Sequence, residues 1–280
     1  VTVLEVEELE KRYKRFHLSL SFQIADGETV AFIGPNGAGK TTLIYTVLNV
    51  VHRDGGRVRF FGLDLDRHEA EIKRQVGVLF EEPRLFDDLS VRHLLEFFQA
   101  FYPRWDWPYA LRLLEEADVD PEKKFKKLSR GMRAKVALVV ALAPQPKMLI
   151  LDEPTAGLDP KMRKWLKEKI HEARERFAPS VMLTSHIMKD VEDLANRIAF
   201  LENGRIKLLR HREDLAKWRI IEGTCDGVLS VEAVKLKLVR EGPGARFRLL
   251  AEHYDEKLKD ELQKCGATIT NVFAPDLDEL

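Results

Sequence analysis

Residues 34–41, Gly34-Pro35-Asn36-Gly37-Ala38-Gly39-Lys40-Thr41, fill the pattern G-x-x-x-x-G-K-[ST]. No other feature constrains the fold as strongly, because the pattern works only between a buried strand and the first turn of a helix. Both flanks comply. Thr29-Val-Ala-Phe-Ile33 is an apolar run of strand length, and Leu43, Ile44, Val47 and Leu48 recur at helical spacing. Glycines let the backbone curl so that successive N–H groups point at phosphate oxygens, and the helix N-terminus adds its positive end. Lys40 then reaches the β- and γ-phosphates, and the Thr41 hydroxyl is placed to ligate magnesium.

The rest of the chain alternates strand and helix. Strand patterns fall at Val1, Val3 and Val6, then at 18–22, 57–61, 76–80, 148–151 and 181–184. Helical text runs from Val91 to about Ala143, with Leu94, Leu95, Phe98 and Phe101 on one stripe. Further helices are expected at 109–117, before Asp120-Pro121, and at 160–176. Strands apolar on both sides, alternating with helices, predict a parallel sheet covered on both faces. Past about residue 211 the text changes. Val234, Leu236 and Leu238 alternate with lysines, Phe247 and Leu249 with arginines, and Leu258 and Leu262 mark a short helix before 267–273. The expected organisation is an α/β domain over 1–210 and a small α+β appendage over 211–280.

Composition excludes several classes. The 280 residues carry 46 Lys+Arg and 46 Asp+Glu, a formal net charge of zero, whereas binding nucleic acid by counterion release needs a basic excess. Cys225 and Cys265 form neither a disulfide framework nor a Cys-x-x-Cys pair, which suits a reducing compartment. With His211 and His253 they are too scattered for a metal site. The longest apolar run, 136–143, is far short of the ~20 residues of a membrane-spanning helix. The opening VTVLEVEELEKRYK has no signal-peptide core, and the absence of an initiator methionine leaves the start open. A charged fraction of 33% fits heat adaptation or many exposed helices equally well.

A second motif supports the first. In Met148-Leu-Ile-Leu-Asp152-Glu153-Pro154 a buried strand ends on two carboxylates. Beside a phosphate loop, Asp152 is expected to face magnesium and Glu153 the attacking water as general base. Three short stretches follow the same order along the chain: Leu128-Ser129-Arg130-Gly131-Met132, Ala156-Gly157-Leu158-Asp159 and Thr184-Ser185-His186. In this ordered set, over roughly residues 1–210, the chain resembles the ATP-binding cassette family. The wording KKLSRGMRAKVALVVALA and DEPTAGLDP is similar to stand-alone cassettes of bacterial and archaeal exporters, which often carry a C-terminal extension.

That resemblance implies a P-loop NTPase fold: a RecA-like core with an antiparallel β subdomain and a helical subdomain over about 86–144. It implies ATP and Mg2+ as ligands, with Gly34 to Thr42 around the phosphates and Thr41, Asp152 and Glu81 near the metal. An aromatic ring stacks on adenine in this family; Tyr13 is at the expected place, with Phe16 as the alternative. Ser129 and Gly131 are implied to contact the γ-phosphate held by a second cassette, Asp159 to lie at the dimer seam, and His186 to touch the γ-phosphate. One phosphate loop and one signature per chain imply a homodimer or heterodimer of cassettes around two ATP molecules. Nucleic acid is not an expected partner. The expected partner is a transmembrane permease, and the expected location is peripheral, on the cytoplasmic face of the membrane. A non-transport cassette, for example in iron–sulfur assembly, is the alternative. The appendage reads as a dimer contact or a regulatory module.

Two departures stand out. The signature is usually LSGGQ, and here Arg130 and Met132 take the second Gly and the Gln positions. Arg130 could add charge near a partner's phosphates or be solvated. Glu81 stands where the family has a glutamine. Its carboxylate can accept but not donate, and its charge is expected to raise the pKa of itself or Glu153. Finally, eight of the chain's 24 aromatic residues lie between Phe80 and Trp107. The family places a permease-receiving groove there, although burial in the helical subdomain's core is the expectation for more than half of these rings.

Overall fold

The computed structural model describes residues 1–225, 237–242, 246–252 and 254–275. The chain divides into two compact units, Val1–Leu209 and Arg210–Leu280.

In the first unit, β1 (Thr2–Tyr13) and β2 (Phe16–Ala25) form a hairpin in which alternate residues are buried. β3 (Thr29–Ile33) is buried at every position and leads through the glycine loop into α1 (Lys40–Val47). Then follow β4 (Gly55–Phe60), β5 (Leu63–Asp64), α2 (Leu65–Lys73) and β6 (Val76–Leu79). Three helices come next, α3 (Val91–Gln99), α4 (Trp107–Glu116) and α5 (Arg130–Leu142). β7 (Met148–Asp152), α6 (Pro160–Phe177), β8 (Ser180–Ser185), α7 (Met188–Leu194), β9 (Arg197–Glu202) and β10 (Arg205–His211) complete the run.

Two sheets result. One has the order β2-β1-β4-β5 and is antiparallel throughout; the other has the order β10-β9-β3-β8-β7-β6. Within the second, β3 pairs in parallel with β8 and β9, and β7 with β6 and β8. The expectation of a purely parallel sheet fails at β10. Asn203 and Gly204 make a two-residue turn with φ of 48° and 74°, the geometry that reverses a chain into an antiparallel hairpin. The core lies between the sheets, where Leu43, Ile44 and Val47 of α1 meet Phe60, Phe32 and Ile150. Phe22 and Phe32 meet edge to face across it at 4.7 Å.

Capping explains where the helices start. Ser90, Asp106, Ser129 and Asp159 each accept a backbone N–H three residues on, and Pro108 and Pro160 occupy the first turns of α4 and α6. The aromatic stripe requires a correction. Leu94 and Leu95 are buried, but α3 ends at Gln99, so Phe101 lies beyond it, 55% exposed, and Phe98 is only half-buried. None of the eight rings between Phe80 and Trp107 is fully buried, and Phe86, Phe97 and Phe101 are exposed. They pack on one another instead: Phe97 lies 4.7 Å from Phe86 and 5.1 Å from Phe101.

The second unit contains α8 (Arg212–Leu215), β11 (Arg219–Cys225), β12 (Lys237–Gly242), β13 (Arg246–Ala251), α9 (Glu256–Lys264) and β14 (Ala267–Phe273). Its sheet has the order β12-β13-β11-β14 and is antiparallel, with Ile221, Phe247, Leu249 and Leu262 in its core. Val234, Leu236 and His253 lie outside the described residues. Among the described residues no helix is long and apolar enough to cross a membrane.

Candidate active site

The glycine loop leaves the C-terminal end of β3 and turns sharply into α1. Gly39 makes that turn with φ 109° and ψ 11°, and no side chain caps α1, so the first N–H groups of the helix stay open to a ligand. A Cβ at Gly39 would stand 2.5 Å from the Phe16 ring. Phe16 is therefore packed onto the loop.

Lys40 is 6% exposed. Its ammonium donates to the Gly34 carbonyl at 2.7 Å and lies 3.3 Å from Glu153 Oε1. Glu153 is 7% exposed and bound from its other side, where Oε2 accepts from His186 Nδ1 at 2.7 Å and from the His186 backbone N–H at 3.1 Å. Lys40, Glu153 and His186 thus meet around a single carboxylate. Glu153 also has φ 46°, a left-handed backbone that costs a non-glycine residue about 1–3 kcal/mol. Its N–H donates to the Thr184 carbonyl and to Thr184 Oγ1, both at 3.1 Å, which holds the turn.

Thr184 holds both acidic residues, Asp152 by its carboxylate and Glu153 by its backbone. The parallel register of β7 and β8 sets Asp152 opposite Thr184, whose hydroxyl donates to Asp152 Oδ1 at 2.7 Å. Asp152 is 2% exposed. Burial pushes its carboxyl up from the usual range against hydrogen bonds from Thr184 and Thr41, and the charges of Glu153 and Glu81 push the same way. A buried carboxylate with neighbouring carboxylates and a threonine hydroxyl is a hard oxygen set. That chemistry fits Mg2+, which takes one or two carboxylates and completes its shell with phosphate and water.

A cleft of about 600 Å³ runs from these groups to the β1–β2 hairpin. Tyr13, Phe16, Asn36, Gly37, Gly39, Lys40, Thr41, Thr42, Glu81 and Glu153 line it. Tyr13 is 49% exposed at its mouth, with the Lys11 ammonium 5.6 Å from its ring centre. Gly34, Pro35 and Ala38 belong to the loop but not to the lining, and Asp152 and His186 reach the cleft only through Thr41 and Glu153. Ser129, Gly131 and Asp159 do not line the cleft; Ser129 and Asp159 cap α5 and α6. Arg15 and Asn203 also line it, and sequence reasoning missed both, as it missed the double role of Thr184. The only signal for Thr184 was its place two residues before His186. A larger groove of 760 Å³ on the β1 bulge, lined by Glu7, Gln23 and Arg57 among others, has no phosphate cradle.

A phosphate loop after β3, paired carboxylates at the end of β7 and a histidine after β8 define a P-loop ATPase of the cassette class. Comparison with known proteins agrees. The family described as ABC transporter matches residues 18–156. The chain is 35% identical over 212 residues to the Nod factor export ATP-binding protein I of Burkholderia thailandensis, covering 73% of this chain and 69% of that protein. It is 27% identical over 265 residues to the ABC transporter ATP-binding protein YtrB of Bacillus subtilis, covering 93% of this chain and 90% of that one. A solved structure, the ATP-binding subunit of an ABC transporter, superposes with a TM-score of 0.69 at 28% identity, covering 76% of this chain and 91% of that one. The chain belongs to the ABC transporter family, and it is an ATPase subunit of that family.

Proposed function

We propose that two cassettes, at least one of them this chain, sandwich two ATP molecules head to tail and drive a separate membrane permease, in the direction of export. The observation that carries this reading is the division of the site. Lys40, Thr41 and Glu153 line one cleft, with His186 hydrogen-bonded to Glu153 and Asp152 to Thr41. Ser129 and Asp159 of the same chain serve as helix caps, and neither they nor Gly131 line that cleft. A complete site then takes Ser129 and Gly131 from a second cassette. The names of relatives support the direction, since they include Nod factor export and linearmycin resistance proteins.

In this reading the loop N–H groups and Lys40 bind the phosphates, and Tyr13 stacks on the base. Thr41 and Asp152, with Glu81 close by, would hold Mg2+, which would supply positive charge against the charge that develops on the phosphates. Incoming phosphate attracts Lys40 away from Glu153, and the freed carboxylate accepts the proton of the attacking water. His186, already hydrogen-bonded to Glu153, orients that carboxylate. The γ-phosphate ties the two cassettes together, and its loss lets them part. The chain would sit at the cytoplasmic face of the membrane, bound to its permease.

The test uses Glu153→Gln with ATP and magnesium. It should elute from gel filtration as a dimer, whereas the same protein with ADP elutes as a monomer. A monomer under both conditions would contradict the sandwich. Copurification of the native chain with a membrane protein in detergent supports the transport role, and purification from the soluble fraction alone favours a non-transport cassette.

A further inference from the structure

The two departures from the usual motifs, Glu81 and Arg130, lie 49 positions apart in the sequence and touch in the fold. Arg130 Nη2 is 3.9 Å from Glu81 Oε1, and the same nitrogen donates to the Ala156 carbonyl at 3.2 Å. Beyond Ala156 the guanidinium lies against Gly157, which has φ 67°; a Cβ there would stand 2.8 Å from Nη1. The guanidinium therefore packs on the turn after Glu153. Glu81 lines the phosphate cleft and also an adjoining cavity of about 520 Å³ lined by Arg84, Arg130 and Arg133. It stands on the wall between the two.

The charges give this contact a use. Asp152 and Glu153 already place two carboxylates where phosphates must enter, and a third at position 81 opposes the same approach. An ordinary glutamine adds no charge there and needs no partner. We propose that Arg130 is a positioning residue: it neutralises Glu81 and holds it together with the turn at residues 156–157, so that the two departures are one coupled exchange. Glu81 then faces the cleft as half of an ion pair and no longer as a free anion. The same arginine fixes the start of the turn that runs to Asp159. The inference rests on the nucleotide-binding role proposed above only for its affinity consequences; the tethering of the turn stands without it.

Exposed pairs of this kind, here 54% and 47% exposed, are weak enough to exchange when a ligand arrives. The test is a double-mutant cycle with Glu81→Gln, Arg130→Gln and the double variant. Binding of the non-hydrolysable ATP analogue AMP-PNP with magnesium is measured by calorimetry at low salt. Arg130→Gln alone should weaken binding by about threefold to fivefold. In the Glu81→Gln background the same change should alter it by less than about 1.5-fold. The coupling should vanish in 1 M salt, where the screening length is about 3 Å. Arg130→Lys, which keeps the charge, should restore the affinity lost in Arg130→Gln.

A second readout needs no nucleotide. Hydrogen exchange of the Ala156 and Leu158 amides in the unliganded full chain should speed up about threefold to fivefold in Arg130→Gln. Independent effects of the two substitutions on binding overturn the charge coupling, and unchanged exchange at 156–158 overturns the tether. If the unmodified chain bound no nucleotide, the proposed function would fall, and the exchange measurement alone would then decide this inference.

Discussion

Gly39→Ala is expected to cost the first unit about 2–4 kcal/mol, and the structure divides that cost into two parts. The backbone part comes from φ 109°, roughly 50° past the centre of the left-handed well that an alanine tolerates at all. Holding an L-residue there costs about 1–3 kcal/mol. The steric part comes from Phe16 Cζ at 2.5 Å and Leu18 Cδ1 at 3.3 Å from the new methyl. Phe16 meets it with the far end of a half-buried ring that can swing toward the cleft, so this part stays near the low end of the ~1–3 kcal/mol of overpacking. Backbone strain therefore dominates. Urea unfolding of Gly39→Ala, Phe16→Ala and the double variant separates the two parts, because removing the ring relieves the clash and leaves the strain. The double variant should recover no more than about 1 kcal/mol through coupling. Nucleotide affinity should drop at least about tenfold in Gly39→Ala, because the first N–H groups of α1 are re-aimed. Stability within about 0.5 kcal/mol of the native chain, with affinity unchanged, would refute the reasoning.

Glu153→Gln should slow hydrolysis by about 10²–10⁴ with nucleotide binding retained, read by phosphate release at saturating ATP; less than a tenfold loss would remove Glu153 as general base. Tyr13→Ala should weaken ATP binding by about 1–3 kcal/mol, whereas Phe16→Leu, at the ring packed on Gly39, should cost mainly stability. If the two results came out reversed, Phe16 would be the stacking residue. The first unit should also lose stability in acid. Lys169 and Arg112 hydrogen-bond Glu116 and hold its carboxyl below the usual range, tying α4 to α6. A depressed carboxylate stabilises fully above its unfolded value near 4.3, and that stability goes as pH falls through the folded value. Glu116→Gln should therefore flatten the loss of thermal stability between pH 6 and about pH 3, and an unchanged profile would count against this network.

The local parts of this protein were legible in one dimension. β3 falls on residues 29–33, where composition places it, because a buried strand carries its pattern within a few residues. The glycine loop was legible for the same reason. Its chemistry needs a strand, a curl and a helix in immediate succession, so a single stretch of text contains it. The paired carboxylates at 152 and 153 were readable as a motif, but not what holds them.

Tertiary structure decided the rest. The register of β7 against β8 brings the Thr184 hydroxyl to Asp152, and the turn after β8 brings His186 to Glu153; neither contact has a signature in the intervening residues. Helical spacing put Phe98 and Phe101 on a stripe, but only the end of α3 at Gln99 and the packing of Leu94 and Leu95 left those rings outside the core. Glu81 and Arg130 read as two separate anomalies until the fold placed them 3.9 Å apart. Short-range patterns record what neighbours in the chain must do together. Which distant side chains share a charge or a hydrogen bond depends on strand register and loop closure, and those are settled only when the whole core packs.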